Sequence, residues 1–397
     1  MCRSKDQSGR RCKCDTSEKR RLRRRNQKAI QSIALPTKPR PNAPVDAPKI
    51  APSIKVDDQP TYDTCREQMN AVNVAKDQWK ETVQSEELGK YSIPALKAMR
   101  RVEEETRRLG SMVCALVDKE TGITDMEYSQ QWDNQLQSLK DERESTTLES
   151  ERERLSVQIS RMSSVDGVPV KEYLMQRGEQ TLEVMKKLRD IGNSELFNAD
   201  SDSSDLKSGY SQVSSFFPDD WVERANGERV KLETNDETGV DGQYLAGRAI
   251  QVNAMYVAGS QMPDDGDEST VYLRDYSRQV LRSTFLHETT HHMEYVTRTN
   301  GVPLSEVERS FLKRRTTHAG RREEPVKGDI LRGMTVYADS FSSAYTGRDY
   351  SKGDMYEVLT TGAESVFMGK NGGLMGLLNS RPDPDHKHFV IGTWLSH

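Results

Sequence analysis

The chain contains no apolar run approaching the roughly 20 residues that a helix needs to cross a bilayer, and its first residues lack the apolar stretch of a secretory signal. Those absences argue against a helical membrane span and predict a protein made and kept in the cytoplasm. Cysteine is scarce and odd in number, five residues at positions 2, 12, 14, 65 and 114. Such a set describes no disulfide framework and fits a reducing compartment. Cys2, Cys12 and Cys14 also lack the paired spacing of a zinc ribbon. Aromatic residues make up only 7% of the chain, and none interleaves with its densest run of positive charge, so a base-stacking platform is not indicated. Apolar residues at 34% barely exceed charged ones at 30%, which predicts long solvated helices, linkers or tails around a modest core.

What is present is unevenly distributed over the 397 residues, although the net charge is only −4. Residues 1 to about 30 carry Lys19, Arg20, Arg21, Arg23, Arg24 and Arg25 with little acid beside them. Like charges at that density keep a segment solvated and attract phosphate, so nucleic-acid contact is its functional reading. Prolines at 36, 39, 41, 44, 48, 52 and 60 then predict an extended linker. Residues 1–60 are thus expected to be a disordered basic and proline-rich tail. Residues 61–192 turn helical, with Leu136, Leu139, Arg143 and the run from Glu149 to Leu155 at spacings of three to four. This predicts a helical hairpin or short coiled coil, its stripe serving core packing or association with a partner. A turn at Val165-Asp166-Gly167-Val168-Pro169 precedes a second amphipathic helix through Tyr173, Leu174, Leu182, Met185 and Leu188. The Ser- and Asp-rich residues 193–215 read as a linker. Residues 216–397 form the last domain, whose alternating segments around Arg229-Val230-Lys231-Leu232 and Ala249-Ile250-Gln251-Val252 predict a small antiparallel sheet.

Only seven histidines occur, and three of them fall in His287-Glu288-Thr289-Thr290-His291-His292-Met293-Glu294. On a helix, expected from about Tyr272 to Arg298, residues four apart share a face. His287 and His291 can therefore offer two imidazole nitrogens to one metal ion, with Glu288 beside them as general base. Catalytic zinc takes a third protein ligand and leaves a position for water. The candidates downstream are Glu357, Glu364, His318, His386, His388 and His397. Glu357 is preferred, on a helix starting near Met355, with Glu364 two turns later supporting a ligand imidazole; Gly362 and Ala363 would let that helix approach the motif helix closely. Glu294 shares the face of the two histidines and could accept a hydrogen bond from one of them, whereas His292 points away. Tyr350 is the first choice to stabilise an oxyanion, with Tyr345 and Arg348 as alternatives.

These pieces, in this order, resemble the gluzincin-type metallopeptidase domains of bacteriophage and prophage proteins, often attached to head morphogenesis proteins. Phe217-Pro218-Asp219-Asp220-Trp221 resembles the family's opening Pro-x-x-Trp, and Phe285 to Glu294 its H-E-x-x-H-x-x-E helix. Tyr345-Thr346-Gly347-Arg348-Asp349-Tyr350 is similar to its Tyr-x-Gly-Arg-x-Tyr loop, and Glu357 to Glu364 to its E-V-L-[ST]-x-G-x-E helix. Asp385 to Gly392 is similar to a closing helix in such domains, and Tyr350 seven residues before Glu357 resembles lethal-factor-like gluzincins, in which that Tyr assists the oxyanion. Thr289-Thr290 stands where the family often has Leu-Gly. Residues 1–12 look like the start of many actinobacterial phage and mobile-element proteins.

The resemblance implies an α+β, zincin-like domain over 216–397 that binds Zn2+ and hydrolyses peptide bonds in a protein or peptide substrate. The encoding element would be a phage, prophage or mobile element, and the protein cytoplasmic in a bacterial host or associated with a virion. Two other readings stay open: a phage structural or DNA-associated component with a vestigial or stabilising metal site, and a metalloprotease toxin.

Overall fold

Side-chain caps set several helix starts in the computed structural model, which describes residues 60–397 apart from 88, 166, 236–240, 246–248, 263–267, 299–300, 319–320, 323–325, 328–334, 338–340 and 349–355. The basic block, almost all of the proline-rich segment, the three N-terminal cysteines and Tyr350 lie outside the described residues. Helix α1 (Tyr62–Ser85) begins with a capping box between Thr61 and Thr64. Helix α2 (Ile93–Thr121) starts at the Ser92 cap with Pro94 in its first turn and ends at the left-handed Gly122. A second capping box, Thr124 with Glu127, opens α3 (Asp125–Ser145), and α4 (Glu149–Met162) and α5 (Val168–Lys186) follow. The expected hairpin is α3 against α4, closed by Tyr128, Trp132, Leu136, Ile159 and Met162.

The rest of the helical region is not a separate body. Cys65, Val72, Ala75 and Trp79 of α1 and Val102, Leu109, Val113 and Leu116 of α2 enter the same core as Trp221, Phe285, Phe389 and Trp394 of the C-terminal part. Glycine makes this contact tight. A Cβ on Gly110 of α2 would fall 1.7 Å from the carbonyl oxygen of His388, and one on Gly392 would fall 1.8 Å from that of Thr106. Both lie where α2 crosses the last helix, α12 (Pro384–Ser396). The expected division between 61–192 and 216–397 is therefore bridged by one core.

The segment 193–215 is also more ordered than a linker. It contains strand β1 (Ala199–Asp200) and helix α6 (Ser204–Gln212), which the Ser203 side chain caps by accepting from Leu206 N. Its serines and aspartates read as loop, but Ser203 is a cap, and Leu206 and Tyr210, four apart, are buried on one face. Helix α7 (Asp219–Asn226) leads to β2 (Val230–Asn235), β3 (Gly242–Leu245) and β4 (Ala249–Asn253).

The chain is α+β with a small mixed sheet of four strands. Their order is β1-β2-β4-β3: β1 runs parallel to β2 and β2 to β4, and only β3 is antiparallel, pairing Gln243 with Gln251 and Tyr244 with Ile250. The expectation of an all-antiparallel sheet is corrected. Alternation such as buried Val230 and Leu232 about exposed Lys231 marks a strand but not its partner's direction. The α6–α7 connection supplies the crossover that the parallel β1–β2 pair needs, and β3 returns along the outer edge of β4.

After α8 (Ala254–Ser260) comes the motif helix α9 (Glu268–Val296), then α10 (Leu304–Arg315), a 3-10 turn Ala344–Gly347 and α11 (Val358–Met368). Helix α9 packs on α11, on β3 and β4, and on α7. No helix among the described residues is long and apolar enough to cross a membrane.

Candidate metal centre

Residues 283–294 of α9 are all buried, so its polar side chains must find partners within the protein. His287 and His291 stand one turn apart with ring centroids 5.2 Å from each other, nearly edge to face at 81°. The carboxylate of Glu357 closes on both: Oε2 lies 3.1 Å from His287 Nε2 and 3.4 Å from His291 Nε2. This buried group, its ligand atoms all within 4.8 Å of one another, could hold a metal ion.

The outer nitrogen of each imidazole is held by a carboxylate. His287 Nδ1 is 3.0 Å from Glu364 Oε2, and His291 Nδ1 is 3.3 Å from Glu294 Oε2. Such contacts keep a proton on each Nδ1 and turn the Nε2 atoms towards Glu357, to which the protonated imidazoles donate when no ion is bound. Glu364 is fixed in turn, its Oε1 accepting from Ser283 Oγ at 2.7 Å and from Lys370 Nζ at 2.6 Å. Glu357 occupies the N-cap position of α11, accepts from Thr360 Oγ1 at 3.0 Å and lies 3.6 Å from Arg348 Nη1.

The electrostatics suit a cation. Five carboxylates, those of Glu288, Glu294, Glu308, Glu357 and Glu364, are between 0 and 5% exposed; among the described residues, Lys370 pairs with Glu364 and Arg348 approaches Glu357. With no ion bound, the imidazoles must supply the positive charge. Burial alone would lower the pKa of His287, but Glu364 and Glu288 push it up to about 10, and Glu357 and Glu294 hold that of His291 far above its ordinary value. Against the opposing effect of burial, Lys370 and His287 bring Glu364 down to about 2, and His291 and His287 keep Glu357 well below the carboxylate range. A divalent ion would replace those imidazole protons. By donor set and charge, the residues fit one.

Glu288 differs from Glu357 and Glu364. Burial, reinforced by Glu357 and Glu364 and opposed by the two histidines, raises its pKa to about 7. Beside it runs the sheet's edge: a Cβ on Gly242 would come within 3.2 Å of Glu288 Oε1 and 2.4 Å of Thr284 Cγ2. Glycine thus lets β3 lie directly on α9 at this residue. His292 is turned away, its Nδ1 3.1 Å from Tyr244 Oη and its pKa lowered to about 4 by burial.

Of the other candidate ligands, the side chain of His318 lies outside what is described. His386 Nε2 hydrogen-bonds the carbonyl of Val358 at 2.6 Å, and His388 and His397, both half-buried, fall outside the group. Gly362 does not face α9 as expected. A Cβ there would meet Val390 Cγ2 at 2.2 Å and His386 Nε2 at 2.8 Å, so its small size serves the α11–α12 contact. Of the oxyanion candidates, Tyr350 lies outside the described residues. Tyr345 has its ring centroid 6.1 Å from that of His287, and Arg348 Nη1 donates to Tyr345 Oη at 2.8 Å.

Ser283, Lys370 and Glu308 were not anticipated from sequence. Ser283 stands four residues before His287 and could have been found by helical spacing. Lys370 follows the left-handed Gly369 and has no periodic relation to the motif. Compared with known proteins, the chain matches no family model, no curated protein and no solved structure.

Proposed function

We propose that the chain is a zinc-dependent endopeptidase of the gluzincin kind, its α+β body a zincin-like fold. The observation that carries the reading is the convergence of His287 Nε2, His291 Nε2 and Glu357 Oε2 next to the buried Glu288. Two imidazoles and one carboxylate form a donor set of catalytic zinc sites. When bound, the ion supplies a Lewis acid that polarises a carbonyl and acidifies water.

The chain's own residues do the rest. Glu294 and Glu364 hold the Nδ1 protons and so keep both ligand rings oriented. The Glu288 carboxylate takes a proton from the attacking water and passes it to the departing amine nitrogen as the C–N bond breaks. A pKa raised to about 7 suits a group that must first accept and then donate. Arg348 and Tyr345 stand where hydrogen-bond donors could meet the developing oxyanion, a role Tyr350 shares in this reading. The substrate is a protein or peptide, and the source a phage, prophage or mobile element acting in a bacterial cytoplasm or virion, with the basic N-terminal residues as a docking arm for nucleic acid.

The test is Glu288→Gln assayed on unfolded protein substrates with zinc present. Cleavage should fall by about a hundredfold or more while zinc stoichiometry stays unchanged, and a chelator should abolish wild-type cleavage reversibly. Cleavage by E288Q at the wild-type rate would refute the assignment.

A further inference from the structure

Helix α11 begins in an unusual way. Glu357 sits at its N-cap position, where an acidic side chain ordinarily turns back to accept the N–H of the second or third helical residue. Here it makes no such bond, because its Oε2 is directed at the two imidazoles. The first-turn N–H groups of any helix lack partners in their own helix, and burying one unpaired costs about 1–3 kcal/mol. At Leu359 the acceptor comes from another helix: Glu308 Oε1 of α10 accepts the Leu359 N–H at 2.9 Å.

Glu308 is wholly buried. A buried carboxylate is expensive to keep, and one brought so close to Glu294 and Glu357 is more so. Among the described residues, its other oxygen, Oε2, has no hydrogen-bond partner, and neither has Oε1 of Glu294, the residue that holds His291. Nothing in the packing of α10 demands a carboxylate there, since Val307, Phe311 and Leu312 already supply the apolar contact. What the carboxylate does supply is an acceptor for α11.

We propose that Glu308 is a positioning residue of the metal centre: by capping α11 from outside, it leaves the Glu357 carboxylate free to face His287 and His291. Without Glu308, the Leu359 N–H falls to the acceptor that a helix start ordinarily uses, the side chain of the N-cap residue, which here is Glu357 two residues earlier. Its carboxylate would swing back to cap its own helix and withdraw from the imidazoles. The inference rests on the metal-centre part of the proposed function and on no step of peptide hydrolysis.

The experiment is zinc affinity measured by competition with a chelating dye, together with the denaturation midpoint of the zinc-free protein. Glu308→Leu removes the acceptor at similar volume and should weaken zinc binding by about ten- to a hundredfold. Glu308→Gln keeps an acceptor oxygen and should bind within about threefold of wild type. If the leucine variant does not fold, Glu308→Asp, one methylene short of Leu359, takes its place with the same expected loss. A lowered midpoint with wild-type zinc affinity would overturn the proposal, as would an E308Q variant as weak as E308L. A wild-type chain that takes up no zinc overturns the positioning role along with the metal centre. A chain that binds zinc as described but cleaves nothing leaves the role of Glu308 standing and refutes only the peptidase reading.

Discussion

Glu364 Oε2 stands 3.0 Å from His287 Nδ1 while its Oε1 takes Lys370 Nζ and Ser283 Oγ, so one carboxylate ties the motif helix to α11 and to the turn beyond it. Glu364, Ser283 and His287 are buried, whereas Lys370 is about a third exposed. Glu364 therefore fixes the tautomer and the rotation of the His287 ring through a carboxylate held by one buried hydroxyl and one partly exposed ammonium.

Removing it should be felt at the metal rather than in the chemistry alone. Glu364→Ala leaves Lys370 and the His287 Nδ1 proton without their partner, and zinc affinity should drop about ten- to a hundredfold. Glu364→Gln keeps the shape and one acceptor but loses the charge, and an intermediate loss is expected. Competition titration of zinc decides the matter, and equal affinity in E364A and wild type would remove Glu364 from the centre.

Those contacts also mark what sequence could and could not reveal. His287, His291 and Glu294 lie on one face by helical spacing, and Glu357 and Glu364 are two turns apart, so a period of 3.6 brings each set together before any tertiary contact is known. Lys370 reaches Glu364 just after the backbone turns left-handed at Gly369. No periodicity encodes that reversal. Glu308 was equally hidden: it is one acid in a charged helix until α11 places the Leu359 N–H before it. Strand direction escaped for a related reason, since the alternation of Val230 and Leu232 is the same beside a parallel or an antiparallel neighbour. The merging of α1 and α2 with the C-terminal core turned on Gly110 and Gly392, two small residues whose meaning depends on what crosses them.

Charge holds the same crossing together and gives it a pH dependence. Asp385 of α12 meets Arg107 of α2 at 3.0 Å and Arg314 and Arg315 of α10 at 2.6 and 3.3 Å. Burial would raise its carboxyl pKa, but Arg314 and Arg107 override this and lower it from 3.8 to about 2. A folded pKa below the unfolded one means stability that is present above about pH 3.8 and lost as pH falls through about 2. The shift corresponds to about 2 kcal/mol at neutral pH. Asp385→Asn should therefore be destabilised by about that amount near pH 7 and by almost nothing near pH 2. Urea denaturation at the two extremes checks it, and an equal deficit at both would show that the carboxylate's charge is not what matters.

The glycine crossing itself offers a contrast between lost space and lost backbone freedom. At Gly110 an added Cβ would meet backbone atoms of His388, at 1.7 Å from the oxygen and 2.6 Å from the carbon, and backbone cannot step aside as a flexible side chain can. Gly110→Ala should push α12 off α2 and cost about 3 kcal/mol or more. Gly122 ends the same helix at a φ of +69° with nothing within 4 Å of its absent Cβ. Gly122→Ala should cost only about 1 kcal/mol, the strain of a left-handed alanine. The two variants should also differ at the metal. Helix α12 fills the space beside Gly362 on α11, the helix that carries Glu364 and is led by Glu357. Displacing α12 therefore loosens the far wall of the centre, and G110A should bind zinc more weakly while G122A binds as wild type does. Equal zinc affinity in the two variants, after G110A has shown the larger loss of stability, would mean that α11 keeps its place without α12.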